Sequence, residues 1–140
     1  MEPTLKQLET DYAGKIRFVW KNKILPFHAK APLAHNAALA AGEQGKFWEM
    51  HDKIFAGQPN LERDTFLKYA TELGLNVDKF TKAMDDPNRY KDIVGDEARQ
   101  AEALGIGGTP TFVINGHKLV GAQPVETFKK AVEDALAKKG

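Results

Sequence analysis

The chain has 140 residues, within the range of one domain. Hydrophobic residues make up 42% and charged residues 28%, the balance of a packed core under a solvated surface. Twenty basic residues against 19 acidic ones leave a net charge of +1, interleaved as in LERDTFLKYATE, which argues against a nucleic-acid-binding surface of clustered positive charge. No apolar run approaches the roughly 18 residues of a membrane helix. MEPTLKQLETDYAGK has no apolar h-region, so no signal peptide is expected in this chain. There is no cysteine, which excludes disulfides, thiolate catalysis and cysteine-ligated metals for these residues and leaves the compartment open.

Along the chain, Pro3 suits a first helical turn, Leu5, Leu8 and Tyr12 recur at helical spacing, and Gly14 is a C-terminal stop. In KIRFVWK, Ile16, Phe18 and Trp20 alternate with Arg17, Val19 and Lys21, which predicts a strand with at least one buried face. Residues 30 to 104 read as helical. Pro32 begins an Ala-rich helix ending near Gly42. KFWEMHDKIF places Phe47, Trp48, His51, Ile54 and Phe55 on one stripe. Asp64 is a plausible cap for a helix carrying Phe66, Leu67, Ala70 and Leu73, closed by Gly74. A short helix over VDKFTKAM follows. Asp86-Pro87 is a cap-plus-proline start for a long helix through Tyr90, Val94, Ala98, Ala101 and Leu104, closed by Gly105. TFVI and HKLVG flank Asn115-Gly116, a strong two-residue hairpin signal because both turn residues need positive φ. Pro124 opens a last helix with Phe128, Val132, Ala135 and Leu136 inside. The order predicts one α/β domain with a large helical insertion.

Other chemistry finds little support. His28, His35, His51 and His117 form no metal-ligand spacing, and His51 on its apolar stripe reads as a hydrogen-bonded, half-buried histidine, so no metal is expected. GIGG precedes Thr-Pro and a strand rather than a helix, so it is no nucleotide fingerprint, and no cofactor is expected. Asp85-Asp86 precedes a helix start, where negative charge is favourable without catalysis.

GIGGTPTFVINGHKLVGAQPVETFKKAVEDAL resembles the C-terminal half of DsbA-like thioredoxin-fold proteins. LPFHAKAPLAHNAALAAGEQGKFWEMHDKIF resembles their helical insertion, and EPTLKQLETDYAGKIRFVWKN the helix and strand after their active site. The resemblance implies a thioredoxin-like core of residues 1–27 and 105–140, with a helical insertion at 28–104. It implies a cis bond at Thr109-Pro110 and an extended polypeptide partner at Gly108, Thr109 and Pro110, the loop that in the family faces the redox cysteines. The family's function is thiol:disulfide exchange, mostly outside the cytoplasm. The first strand and the Cys-x-x-Cys of that family are not among the 140 residues, and Met1 corresponds to a position just after the motif. No catalytic residue is therefore expected, and the chain reads as redox-inactive as it stands.

Three readings follow. The chain is a truncated oxidoreductase domain whose natural start lies upstream; or a non-redox binding or self-assembling module of the same fold; or, ranked last, a glutathione-using relative. Within the family's sheet the first strand lies between those matching KIRFVWK and TFVIN. Its loss predicts either a rearranged sheet, with those two strands pairing directly within the chain, or an open slot filled by a second copy in a strand-exchanged homo-oligomer or by a peptide. Neither nucleic acid nor a membrane is expected as a partner.

Overall fold

The computed structural model describes residues 1–138. The elements in chain order are α1 (Glu2–Asp11), α2 (Ala31–Gly42), α3 (Phe47–Ala56), α4 (Arg63–Glu72), α5 (Val77–Asp85), α6 (Lys91–Ala103), β1 (Thr111–Ile114), β2 (His117–Val120) and α7 (Val125–Ala137). Two compact units result. Among the described residues, one comprises 1–21 and 101–138, the other 22–100. The divisions fall at 21/22 and 100/101, a few residues from the 27/28 and 104/105 boundaries read from the sequence.

In the first unit, α1 buries Leu8. Gly14 follows at φ +75°, a left-handed conformation open to glycine at no steric cost. The helix α7 turns Phe128 and Val132 inward. It is tied to α1 by a hydrogen bond from the Tyr12 hydroxyl to Glu133 Oε1 (2.8 Å) and an ion pair between Lys129 and Asp11 (3.1 Å). Phe112 of β1 meets buried Phe128 edge-to-face, ring centroids 4.8 Å apart.

The expected strand over KIRFVWK does not form. Residues 16–25 belong to no helix or strand, and among the described residues the sheet consists of β1 and β2. The alternation that suggested a strand is retained: Ile16, Phe18 and Trp20 are half-buried while Arg17, Val19 and Lys21 are exposed. Side-chain alternation sets which face turns inward, but a strand also needs a neighbouring strand for its backbone groups, and no strand among the described residues pairs with this segment.

In the second unit, α2 presents Ala34, Ala37, Ala38 and Ala41 at i, i+3, i+4 and i+7, and these small side chains let α3 and α5 pack closely against it. Phe66 of α4, Phe80 and Met84 of α5 and Met50 of α3 fill the centre and are fully buried. Each contributes about 1.5–3 kcal/mol relative to exposure.

Several boundaries and faces differ from expectation. The N-cap of α4 is Glu62, in extended conformation, and Asp64 lies inside the first turn, where its charge still favours the helix dipole. On α3 the buried face is Met50, His51 and Ile54, with Trp48 and Phe55 at its exposed margin. His51 is buried rather than half-buried, its Nδ1 3.1 Å from Asp52 Oδ1. The helix expected from Asp86-Pro87 starts at Lys91 as α6, because Asp86 Oδ1 accepts from the Asn88 amide (2.9 Å) and holds residues 87–90 in turns. Asp85 meanwhile pairs with Arg63, with Nη2 to Oδ2 at 2.7 Å. The inner face of α6 is carried by Glu97, and Leu104 is exposed.

Candidate functional site

Asn115 (φ +45°) and Gly116 (φ +86°) make the two-residue turn that their sequence signals. The register that follows pairs Ile114 with His117, Val113 with Lys118, Phe112 with Leu119 and Thr111 with Val120. Across a two-residue turn the flanking residues exchange both hydrogen bonds, and bonded pairs then recur at every second residue. The bonded pairs are therefore Ile114/His117 and Phe112/Leu119. The amide of Gly121 donating to Pro110 O (2.9 Å) continues the same phase.

The N–H and C=O groups of Thr111 and Val113 consequently point away from β2, and no strand lies on that side among the described residues. The alternation also sorts the side chains. Phe112 and Ile114 share the α7-facing side with Leu119 and His117. Thr111 and Val113 share the other side with Val120 and Lys118, where Val113 is 49% and Val120 59% exposed. Lys118 Nζ donates to the Leu104 carbonyl (3.1 Å).

The loop before β1 holds Gly108, Thr109 and Pro110, the residues singled out from the sequence, side by side and exposed. The Thr109–Pro110 peptide bond is cis. A second cis bond, Gln58–Pro59, carries no sequence signal that distinguishes it. The Gly108 carbonyl accepts from Thr111 Oγ1 (2.8 Å), which stitches the loop to the strand. The backbone of Thr109 takes no hydrogen bond from the described residues. A Cβ at Gly107 or Gly108 would meet nothing within 4 Å, so the loop's outer surface is open.

Two polar clusters in the second unit have no counterpart in the sequence reading. Asn22, 2% exposed, donates from its amide (3.2 Å) and from Nδ2 (2.7 Å) to Oε1 of Glu97, itself 8% exposed. Its Oδ1 lies 2.5 Å from Nδ1 of His35. Burial lowers the His35 pKa from its ordinary 6.5, and the nearby Glu97 charge opposes that shift. In the second cluster, Glu43 receives Arg89 Nε (2.9 Å), Arg89 Nη2 (2.5 Å) and the Tyr90 hydroxyl. The Arg89 and Tyr90 hydrogen bonds hold the Glu43 carboxyl below its usual range, and burial with the Glu43 contact raises the Tyr90 phenol. No periodicity marks Asn22, Glu97, Glu43 or Arg89 in advance, because each is placed by contacts distant in sequence.

The model of the DSBA-like thioredoxin domain family matches residues 1–133. The chain belongs to that family. The DSBA-like domain superimposes on a thioredoxin-like oxidoreductase from Silicibacter pomeroyi with a TM-score of 0.81 at 24% identity, covering 95% of this chain and 77% of that one. For the thiol-disulfide exchange protein alpha-DsbA2 from Wolbachia pipientis the TM-score is 0.77 at 21% identity, covering 95% and 72%. These two likenesses establish the fold.

Among curated proteins, the domain is 37% identical over 137 residues to a Na(+)/H(+) antiporter NhaA 1 of Salinispora arenicola, covering 97% of this chain and 21% of that protein. It is 36% identical over 126 residues to a Na(+)/H(+) antiporter NhaA of Herminiimonas arsenicoxydans, covering 90% and 20%. The chain thus spans about a fifth of the length of these relatives. No helix among its described residues is long and apolar enough to cross a membrane.

Proposed function

We propose that this DSBA-like domain, as the 140-residue chain, is redox-inactive and binds extended polypeptide by strand addition along β1, with Gly108, Thr109 and Pro110 at the entry. The redox half rests on composition. Thiol–disulfide exchange requires a thiolate to attack a disulfide sulfur, and the chain has no cysteine. The binding half rests on one observation: the outward N–H and C=O groups of Thr111 and Val113 lie on an edge with no partner strand among the described residues.

Magnitudes narrow the partner. Thr111 and Val113 each offer one donor and one acceptor, and a typical net hydrogen bond contributes about 0.5–1.5 kcal/mol, so the edge supplies roughly 2–6 kcal/mol. Micromolar binding needs about 8 kcal/mol. The remainder must come from apolar contact with the side that carries half-exposed Val113 and Val120. The preferred partner is therefore a strand with alternating apolar residues. The outer edge of β2 is the poorer site, because it carries Lys118, and a charged lysine on an edge strand opposes pairing.

At high protein concentration a second copy can supply the strand and give a symmetric pair. Light scattering across a concentration series, with and without a peptide of alternating valine and threonine, tests the binding half. The expected result is concentration-dependent dimer that the peptide dissociates. A monomer at all concentrations that also ignores the peptide refutes it. Insulin reduction by dithiothreitol tests the redox half: the rate with the protein equals the uncatalysed rate, and reproducible acceleration refutes it.

A further inference from the structure

The second unit carries a groove of about 470 Å³ where the end of α2 meets α5. Its floor is formed by the methyl groups of Ala40 and Ala83, both buried between the helices. Gln44 fixes one wall, since its Oε1 accepts from the Asn76 amide (2.8 Å) and its Nε2 donates to the Asn76 carbonyl (3.2 Å). That double bond holds the start of α5 against the end of α2. Lys79, Lys82 and Arg89 complete the rim together with Glu43.

The charges on this rim do not balance. Glu43 is its one carboxylate, and both of its oxygens are taken by Arg89, with Tyr90 sharing one of them. Neither Lys79 nor Lys82 enters an ion pair among the described residues, and Asp78, next to Lys79, forms none with either. Arg89 uses Nε and Nη2 on Glu43 and keeps Nη1 for another acceptor. The groove therefore holds two uncompensated ammonium groups and part of a guanidinium around an apolar floor.

The same residues break local rules of helix stability. Lys79 sits in the first turn of α5, where the helix dipole disfavours a cation. Lys82, in the last turn where the dipole favours a cation, puts a like charge three residues from Lys79 on the same helix. Local violations without an internal partner are expected where a site is built for something else. A multiply charged anion would relieve both at once.

We propose that this groove binds a small dianionic group of the phosphate type, with the ammoniums of Lys79 and Lys82 and Nη1 of Arg89 as its donors. Lysine serves as a point charge for phosphate, and the guanidinium adds a directed donor. The proposal concerns a different surface from β1 and stands apart from the peptide reading.

The test is an amide-resolved NMR titration of the intact chain with inorganic phosphate and pyrophosphate, against sodium chloride at matched ionic strength. The expected result is saturable shifts at residues 79–82 and 89, weakened at least about tenfold in K79Q/K82Q and retained in K79R/K82R. All the substituted side chains are exposed, so the fold is expected to persist in each variant. Shifts that follow ionic strength alone, that map elsewhere, or that survive unchanged in K79Q/K82Q overturn it.

Discussion

Replacing Val113 by proline separates the two edges of β1. The amide of Val113 faces away from β2, so proline there leaves the Ile114/His117 and Phe112/Leu119 bonds in place. Proline is tolerated in an edge strand when the lost N–H is the solvent-facing one. The side chain is already 49% exposed. The cost to the isolated chain is the adjustment of φ, about 1 kcal/mol. Phe112→Pro is the contrasting variant. It removes an N–H that bonds to Leu119 and takes the Phe112 ring off buried Phe128. A stranded acceptor costs about 1–3 kcal/mol and the lost ring contact a similar amount, so the sum is about 2–6 kcal/mol.

Strand addition responds in the opposite order. Proline at 113 removes a donor from the incoming strand's carbonyl and puts a ring in its path, which weakens binding about tenfold to a hundredfold. Circular dichroism melting and light scattering with the alternating peptide measure both quantities. If V113P melts near the parent yet binds as tightly, the β1 edge is not the site. If it unfolds as severely as F112P, the assigned register is wrong.

The other expectations concern the cores and the buried polar cluster. Phe80→Ala, at a fully buried position of α5, should cost about 3–5 kcal/mol in urea unfolding, whereas Lys68→Ala on the exposed face of α4 should change little. Glu97→Ala removes the acceptor of two buried Asn22 hydrogen bonds and should cost about 1–3 kcal/mol, while Glu97→Gln retains an acceptor oxygen and should cost less; equal losses would show that the hydrogen bonds are not what Glu97 provides. His35 has a folded pKa held below its ordinary 6.5 by burial. The unfolded chain thus takes up a proton first, and the histidine's contribution, complete above about pH 6.5, is lost as pH falls toward the folded value. His35→Gln should flatten melting temperature over that window, and a variant curve parallel to the parent's would contradict this.

The helices were legible wherever apolar residues repeat at helical spacing, as at Leu5 and Leu8 of α1 or Phe80, Ala83 and Met84 of α5. The hairpin was legible because Asn115-Gly116 needs positive φ at both residues, a constraint contained in the dipeptide itself. KIRFVWK shows where pattern reading ends. Its alternation correctly orders Ile16, Phe18 and Trp20 inward, yet a strand is defined by a neighbour, which is a property of the whole sheet. Asp64 and Asp86 illustrate a second limit. Both are good helix-start residues, but Glu62 adopted the extended cap conformation first, and Asp86 spent its carboxylate on a turn at Asn88. The loop at Gly108, Thr109 and Pro110 was found through family resemblance to GGTPTF. The polar clusters around Glu97 and Glu43 join residues 46 to 75 positions apart, and no local spacing encodes such pairs.

Amide hydrogen exchange at Thr111 and Val113 tests strand addition most directly, because those two N–H groups are the ones the partner must cover. With the alternating peptide at saturation, exchange at Thr111 and Val113 should slow while Lys118 and Val120, on the outer edge of β2, exchange as before. Unchanged exchange at Thr111 and Val113, or protection confined to Lys118 and Val120, would contradict the assignment of β1 as the binding edge.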